Sequence, residues 1–271
     1  MSETANDPAA TRKAQARALF NGLAADYDAA GPGNFSYFGR RLVDHVGVRP
    51  GDRVLDVATG RGAVLFPAAE RVGDSGEVVG IDLAEQMVAA TNAEAIRRGL
   101  AAQVRVMDAE ALEFPDATFD RVLCGFGVMF FPELGRALSE FRRVLTPGGR
   151  LGISTWQFSQ SDDLAAVLAQ LGRREGKPPG WITEPAELAR VLTTAGFADV
   201  QVSVEPETFR YADLDHYWAN ARGTGTRRAI DALDEEQQAR VRAALAERLR
   251  PFERPDGLHV GATALLASAT R

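Results

Sequence analysis

The feature that most constrains this chain is an alternation between short runs rich in Val, Ile and Leu and segments whose apolar residues recur with helical spacing. The runs lie at residues 53–57, 77–81, 102–107, 119–124 and 150–155, and the helical segments between them at 63–71, 84–98 and 133–145. Strands without a polar face must be covered on both sides, and strand–helix–strand repeats supply that cover. Turn residues punctuate the pattern: "RVGDSGEVVG" separates helix from strand, "FPDATFD" precedes the fourth strand, and "LTPGGR" stops the third helix. The expectation is an α/β fold with a doubly wound, mostly parallel sheet.

Around this core, residues 1–51 read as an N-terminal helical cap of two helices with "GPGNFSY" as a flexible join. Residues 157–271 read as insertion and lid helices plus the last two strands, completing the same domain. Within them, 157–185 is expected to be helical and then broken by Gly and Pro, 186–195 helical, and the stretch after "GFADVQVSV" helical to about residue 249. "HVGATALLASA" is the candidate final strand. Such insertions sit over the carboxyl ends of the strands, where open α/β sheets bind ligands.

Composition narrows the partners. A chain of 271 residues with 45% hydrophobic and 25% charged residues is ordinary for a globular protein. Its net charge of −6, without long runs of like charge, recommends neither nucleic acid nor an anionic membrane surface. Cys124 stands alone, so no intrachain disulfide is available. The first residues lack the layout of a secretory signal, and no apolar run reaches the roughly 18 residues of a membrane span. A soluble cytoplasmic protein is expected. No His/Cys cluster has metal-ligand spacing, so no metal is expected.

The chemistry begins at "VLDVATGRG", where an apolar strand ends in Asp56 and is followed by Gly60 and Gly62. Glycines there let backbone approach a ligand where a Cβ would collide. The next strand ends in Asp82, within "GIDLAEQM", placed to accept hydrogen bonds from ribose hydroxyls or to cap the helix that follows. The third ends in Asp108, within "RVMDAEALEFPDATFD", suited to an adenine amino group. Acids at three successive strand ends describe a nucleoside site. A pyrophosphate would call for positive charge beside the loop, whereas Asp56 suits a ligand with a cationic amino group. S-adenosylmethionine is therefore favoured over NAD.

With these motifs on the page, the chain resembles the class I S-adenosylmethionine-dependent methyltransferases, in particular the ubiquinone/menaquinone-biosynthesis-like group. The matching stretches are "VLDVATGRG", "VVGIDLAEQMV", "VMDAEALEFPDATFD", "GFGVMFFPELGRALSEFRRVLTPGGRL" and, more loosely, "FNGLAADYD", together covering about residues 20–156. The resemblance implies a seven-stranded sheet whose last strand runs antiparallel, with residues 52–156 as the cofactor-binding core. It implies that Asp56, Ala58, Gly60 and Gly62 line the methionine end of the cofactor, and that Asp82 holds the ribose. Leu83 and Met87 would flank the adenine, unless they are plain helix core. Asp108 and Ala109 would meet the adenine, Gly125 and Phe126 would approach the sulfonium, and Tyr27 would close over the cofactor. Two departures stand out: Ala58 where the group's commonest loop has Gly, and "STWQFSQSDDLAAVLAQLGRR" after the fifth strand, which does not follow the quinone C-methyltransferases.

Methyl transfer from a sulfonium is an in-line displacement, so positioning and water exclusion carry most of it and a base is optional. His45 and His259 read as structural. His216, within "YADLDHYWAN" among Tyr211, Tyr217 and Trp218, reads either as a base or substrate-orienting donor, or as one polar residue of a packed lid helix. Phe35, Tyr37, Phe38, Phe130, Phe131, Trp156 and Trp181 are either core or the wall of an apolar acceptor pocket, with Trp156 the best placed. The segment "LDEEQQARVRAALAERLRPFERPDG" reads as an amphipathic helix packed on the domain. The expected function is methylation of O, N or C on an apolar, aromatic or polyketide-like small molecule. The alternatives are a quinone-pathway C-methyltransferase and a cofactor-binding protein on the same scaffold that transfers no methyl group.

Overall fold

The computed structural model describes residues 7–157, 164, 167, 168 and 181–271. The five expected strands are β1 (Arg53–Val57), β2 (Glu77–Asp82), β3 (Ala102–Val106), β4 (Phe119–Gly125) and β5 (Leu145–Trp156). β6 (Ala198–Tyr211), the two-residue β7 (Glu253–Arg254) and β8 (Gly257–Thr270) follow. Seven of them run side by side in the order β3-β2-β1-β4-β5-β8-β6, and β7 pairs with β8. β1 pairs in parallel with β2 and β4, β2 with β3, and β4 with β5. β8 lies antiparallel to both β5 and β6, as expected of the final strand. The parallel strands end on one edge, and the chain reverses its winding between β1 and β4, which opens a crevice there.

Helices cover both faces. α2 (Asn34–Val46), α3 (Leu65–Val72) and α4 (Glu85–Arg98) bury Phe38, Leu42, Val46, Leu65, Phe66 and Val88 on one side. On the other, α5 (Leu134–Val144) and α6 (Pro185–Thr194) bury Leu138, Phe141, Val144, Leu188 and Leu192. Ala137, Phe141 and Val144 follow the spacing of one helix face, so α5 can lie flat on the sheet. Phe141 is fully buried; its removal would cost about 3–5 kcal/mol of stability. α2 packs on the sheet itself, so only α1 (Pro8–Leu23) stands over the strand ends as a cover. The join is shorter than the sequence suggested, because "NFSY" already belongs to α2.

Two boundaries differ from the sequence reading. "LTPGGR" is drawn into β5: Phe119 pairs with Leu145 and Arg121 with Arg150, so residues 146–149 bulge, with Gly148 at φ +78°. The stretch after "GFADVQVSV" stays extended to Tyr211 before α7 (Leu214–Arg222), α8 (Arg227–Asp231) and α9 (Glu235–Leu249) begin. β6 is an edge strand that tolerates Pro206 and one solvated face, which is why "VEPETFRY" carried no clear strand pattern. The expectation for 157–185 falls mostly outside the described residues; Leu164, Val167 and Leu168 are helical and pack with Trp218, Ile230 and Leu245.

Candidate functional site

A cavity of about 760 Å³, counted with its mouth, opens at the carboxyl ends of β1, β2, β3 and β4. Of the thirteen residues singled out in the sequence, ten line it: Tyr27, Ala58, Gly60, Asp82, Leu83, Met87, Asp108, Ala109, Gly125 and Phe126.

Asp82 organises the floor. Its Oδ2 accepts the Gly60 N–H at 2.8 Å and its Oδ1 accepts the Ala84 N–H at 2.9 Å, tying the β1 loop to the start of α4. Each oxygen keeps a second lone pair for a ligand hydroxyl. Burial raises the pKa of Asp82, against the pull of the Ala84 and Gly60 amides. Gly60 has φ +51° and open space where a Cβ would project. Two non-glycine residues of the wall also hold left-handed backbone, Ala58 at φ +54° and Phe126 at φ +56°. Such conformations cost of order 1 kcal/mol and persist only where surrounding packing imposes them.

Asp56, Gly62 and His216 do not line the cavity. Asp56 lies one layer beneath the loop, 1% exposed, its Oδ2 accepting the Thr59 hydroxyl at 2.5 Å. Its Oδ1 has no partner among the described residues, and burial, offset in part by Thr59, pushes its pKa up to about 7. Gly62 serves packing instead: at φ +83°, a Cβ there would lie 2.5 Å from the Phe66 ring. His216 has both ring nitrogens engaged elsewhere. Nδ1 accepts the Ala212 N–H at 3.0 Å and Nε2 faces the Ala30 carbonyl, so the ring pins α7 to the α1–α2 join. That arrangement fixes the proton on Nε2, leaving no lone pair for an acceptor's proton.

The helical cap was expected, but none of its residues that roof the cavity besides Tyr27 is singled out by the sequence. α1 places Lys13, Ala16, Arg17 and Phe20 over the ends of β2 and β3. Lys13 Nζ lies 2.6 Å from Asp108 Oδ2 and 2.5 Å from Glu110 Oε2, while Asp108 Oδ1 accepts the Glu110 N–H at 2.9 Å. Asn21 and Arg17 hold Glu85 at the start of α4, with Arg17 Nε 3.0 Å from Oε2. α1 buries one side chain completely, Leu23, so its pattern carries little of a packed helix's signature. Its docking combines apolar contacts of Leu19, Phe20 and Leu23 with Ala84, Met87 and Phe130 and charge pairs whose partners are far away in sequence.

Behind Phe126 the rings of Phe35, Phe38 and Trp156 pack into the core and do not themselves line the cavity. Trp156 stacks on Phe126 with centroids 4.1 Å apart, and Phe35 meets both at 5.4 and 5.7 Å. Phe38 completes the group beside Trp156, at 5.5 Å. Phe130 and Phe131 line the cavity, with Phe20 against Phe130 at 4.9 Å. Trp181 packs on the main core. Among the described residues no three His, Cys, Asp or Glu side chains are grouped as metal ligands, and no helix is long and apolar enough to cross a membrane.

Residues 54–149 match the family described as a methyltransferase domain. The chain is 35% identical over 252 residues to nocamycin O-methyltransferase of Saccharothrix syringae, covering 85% of this chain and 89% of that one. It is 42% identical over 209 residues to aklanonic acid methyltransferase DauC of Streptomyces sp. (strain C5), covering 70% and 95%. A ubiquinone/menaquinone biosynthesis C-methyltransferase of Teredinibacter turnerae is 36% identical over 155 residues, 55% of this chain and 61% of that protein. Among solved structures, the [4+2]-cyclase SpnF superposes with a TM-score of 0.55 at 21% identity, over 86% of this chain and 80% of that one. At that identity the likeness concerns the fold alone.

Proposed function

Because the chain belongs to the class I S-adenosylmethionine-dependent methyltransferases, we propose that it methylates a hydroxyl oxygen of an apolar, polyketide-like small molecule. The observation that carries this reading is the likeness to the nocamycin and aklanonic acid enzymes, which covers 85% and 70% of this chain and so extends beyond the matched methyltransferase domain at residues 54–149. The rings that line the cavity, Phe20, Phe126, Phe130 and Phe131, support an apolar, ring-bearing acceptor. In this reading residues 1–51 are the cap, 52–156 the cofactor core, and 157–271 the lid and closing strands of the same domain, working in the cytoplasm.

The lining suits S-adenosylmethionine. Asp82 would take the ribose hydroxyls, Leu83 and Met87 would flank the adenine, and Asp108 and Ala109 would meet its edge. Gly60 and Ala58 would admit the amino-acid end, with the buried carboxylate of Asp56 beneath them supplying negative charge. Gly125 and Phe126 would border the sulfonium, and Tyr27 would cover it. S-adenosylmethionine, when bound, supplies an electrophilic methyl group on a sulfonium. The protein's contribution is to hold the acceptor oxygen in line with that carbon and keep water out, effects worth about 7 kcal/mol or more.

Incubation with methyl-labelled S-adenosylmethionine and a panel of phenols, enols, amines and quinols tests this reading. Labelled ethers of hydroxylated aromatics are expected. A C-methylated quinol would instead favour the quinone-pathway alternative, and tight cofactor binding with no transfer would favour a protein that uses the scaffold otherwise, since fold does not dictate chemistry. Tight NAD binding with no affinity for S-adenosylhomocysteine would overturn both the cofactor and the function.

A further inference from the structure

A second polar group lies beside the cavity, built from the α1–α2 join, the start of α2, the end of β6 and α7. Tyr27 lines the cavity; the next residue, Asp28, is held in left-handed backbone at φ +56°, its N–H donating to the Gly223 carbonyl at 3.3 Å. The Asp28 Oδ1 is buried and has no hydrogen-bond partner among the described residues. The same is true of the side-chain oxygens of Asn34 and Asn220. Asp28 Oδ1 and Asn220 Oδ1 converge on Gly31, where a Cβ would come within 2.8 and 2.3 Å of them. Tyr211 joins the group: its hydroxyl oxygen accepts from Asn34 Nδ2 at 3.2 Å and from Asn220 Nδ2 at 3.4 Å.

The inventory of this group is lopsided. Three buried oxygens lack donors, while the Tyr211 hydroxyl proton has no acceptor among the described residues. Buried polar atoms are rarely left so in a folded protein. An ammonium would satisfy the oxygens and leave the Tyr211 proton; a hydroxyl can do both, donating to a carboxylate while accepting from a phenol. Asp28, Asn34, Tyr211 and Asn220 stand behind the cavity wall rather than in it; Tyr27 and Phe126 are the wall residues nearest the group. Phe35, the neighbour of Asn34, packs on Tyr27 at 5.3 Å and on Phe126 at 5.4 Å.

We propose that Asp28 is the proton acceptor for a phenolic or enolic acceptor hydroxyl, and that Tyr211, oriented by Asn34 and Asn220, donates a hydrogen bond to the same oxygen. The inference rests on the methyltransferase reading and assigns the acceptor side of that site. In the step, the acceptor's O–H proton passes to the Asp28 carboxylate as an oxygen lone pair forms the O–CH3 bond. The C–S bond breaks, its electron pair neutralises the sulfonium, and Asp28 later returns the proton to solvent. His216, read from the sequence as either a base or the polar residue of a packed lid helix, is in this reading a positioning residue that holds α7 against the join. Burial moves the pKa of Asp28 up to about 6, which suits a base working near neutrality. The titratable groups whose charge couples to Asp28 are Tyr27 on its own segment and Tyr211 on β6, while His216 on α7 contacts Ala30 of the same join.

The test uses the full chain saturated with S-adenosylhomocysteine and 4-nitrophenol as an optical probe of phenol ionisation, followed by turnover of the hydroxyl acceptors found in the labelled panel. The wild type is expected to bind 4-nitrophenol with a shifted spectrum. Asp28→Asn should abolish the shift, reduce kcat about 100-fold or more, and remove the acidic limb of the pH–rate profile, with S-adenosylhomocysteine affinity unchanged within twofold. Tyr211→Phe should act mainly on KM. A wild type that binds S-adenosylhomocysteine but never perturbs 4-nitrophenol overturns the inference, as does Asp28→Asn that keeps kcat and its pH profile. Failure to bind S-adenosylhomocysteine would instead defeat the cofactor reading on which the inference stands.

Discussion

Lys13 bridges Asp108 and Glu110, with its ammonium 2.6 Å from one carboxylate and 2.5 Å from the other, and thereby fastens the first helix across the cavity. Glu110 is nearly inaccessible, its side chain 1% exposed, whereas Lys13 keeps 24% of its surface. Burial works against the charge on Lys13, but the two carboxylates outweigh it and hold its pKa above the ordinary value. Lys13→Met leaves the buried Glu110 facing Asp108 without a counter-ion. We expect a loss of about 1–2 kcal/mol, the scale of a charge-assisted hydrogen bond reduced for partial exposure, in urea unfolding. Stopped-flow measurements should also show faster release of S-adenosylhomocysteine, because α1 then covers the adenine end less firmly.

Asp82 ties the β1 loop to α4, and in the proposed reading it also holds the cofactor ribose. Asp82→Ala should cost about 1.5–3 kcal/mol of cofactor affinity, through the loss of charge-assisted hydrogen bonds to the ribose. It also strands the Gly60 and Ala84 amides, so the melting temperature should fall as well. Calorimetry on the folded variant decides the matter: unchanged affinity would remove Asp82 from the site.

Asp56 gives the site a pH dependence whose sign follows from its burial. Burial raises its pKa from the ordinary 3.8 to about 7, so between those values the folded chain holds a proton that the unfolded chain has lost. Its contribution to stability therefore declines as pH rises from about 4 to about 7 and is level above that. Binding of a cationic amino-acid end runs the other way, favouring the ionised carboxylate, so affinity for S-adenosylmethionine should strengthen as pH passes through about 7. Asp56→Asn should flatten both trends, measured by denaturation and by calorimetry across pH.

Ala58 occupies left-handed backbone at φ +54°, a conformation that glycine adopts without strain. Ala58→Gly should raise stability by about 0.5–1 kcal/mol, the strain released less the extra freedom given to the unfolded chain. Cofactor affinity should be retained, since Ala58 would meet the ligand mainly through its backbone. Urea titration of the variant beside the wild type reads the difference.

His216→Phe separates a structural tie from a base. It removes the contacts to Ala212 and Ala30, so stability should fall by about 1 kcal/mol per lost hydrogen bond. The acidic limb of the pH–rate profile should survive, because both ring nitrogens are already occupied in the folded protein. Disappearance of that limb would return His216 to the reaction.

The sequence by itself determined the core of this protein. Apolar runs and helical spacing are local, and covering both faces of such strands leaves little choice but a doubly wound sheet, so Asp82, Asp108 and Gly60 fell at strand ends on the cavity edge. Residue spacing could not say which side chains of the first loop point outward. Asp56 is held down by Thr59, three residues on, and Gly62 is required by the ring of Phe66 rather than by a ligand. The extension of β6 through Pro206 was hidden because an edge strand needs only one paired and one buried side. Only the tertiary structure decided the charge pairs of the roof and the buried polar group around Tyr211. Lys13 meets Asp108 across 95 residues of chain, and Asn34 meets Tyr211 across 177. Those pairs depend on long-range packing and charge, which leave no periodic trace in the residues themselves.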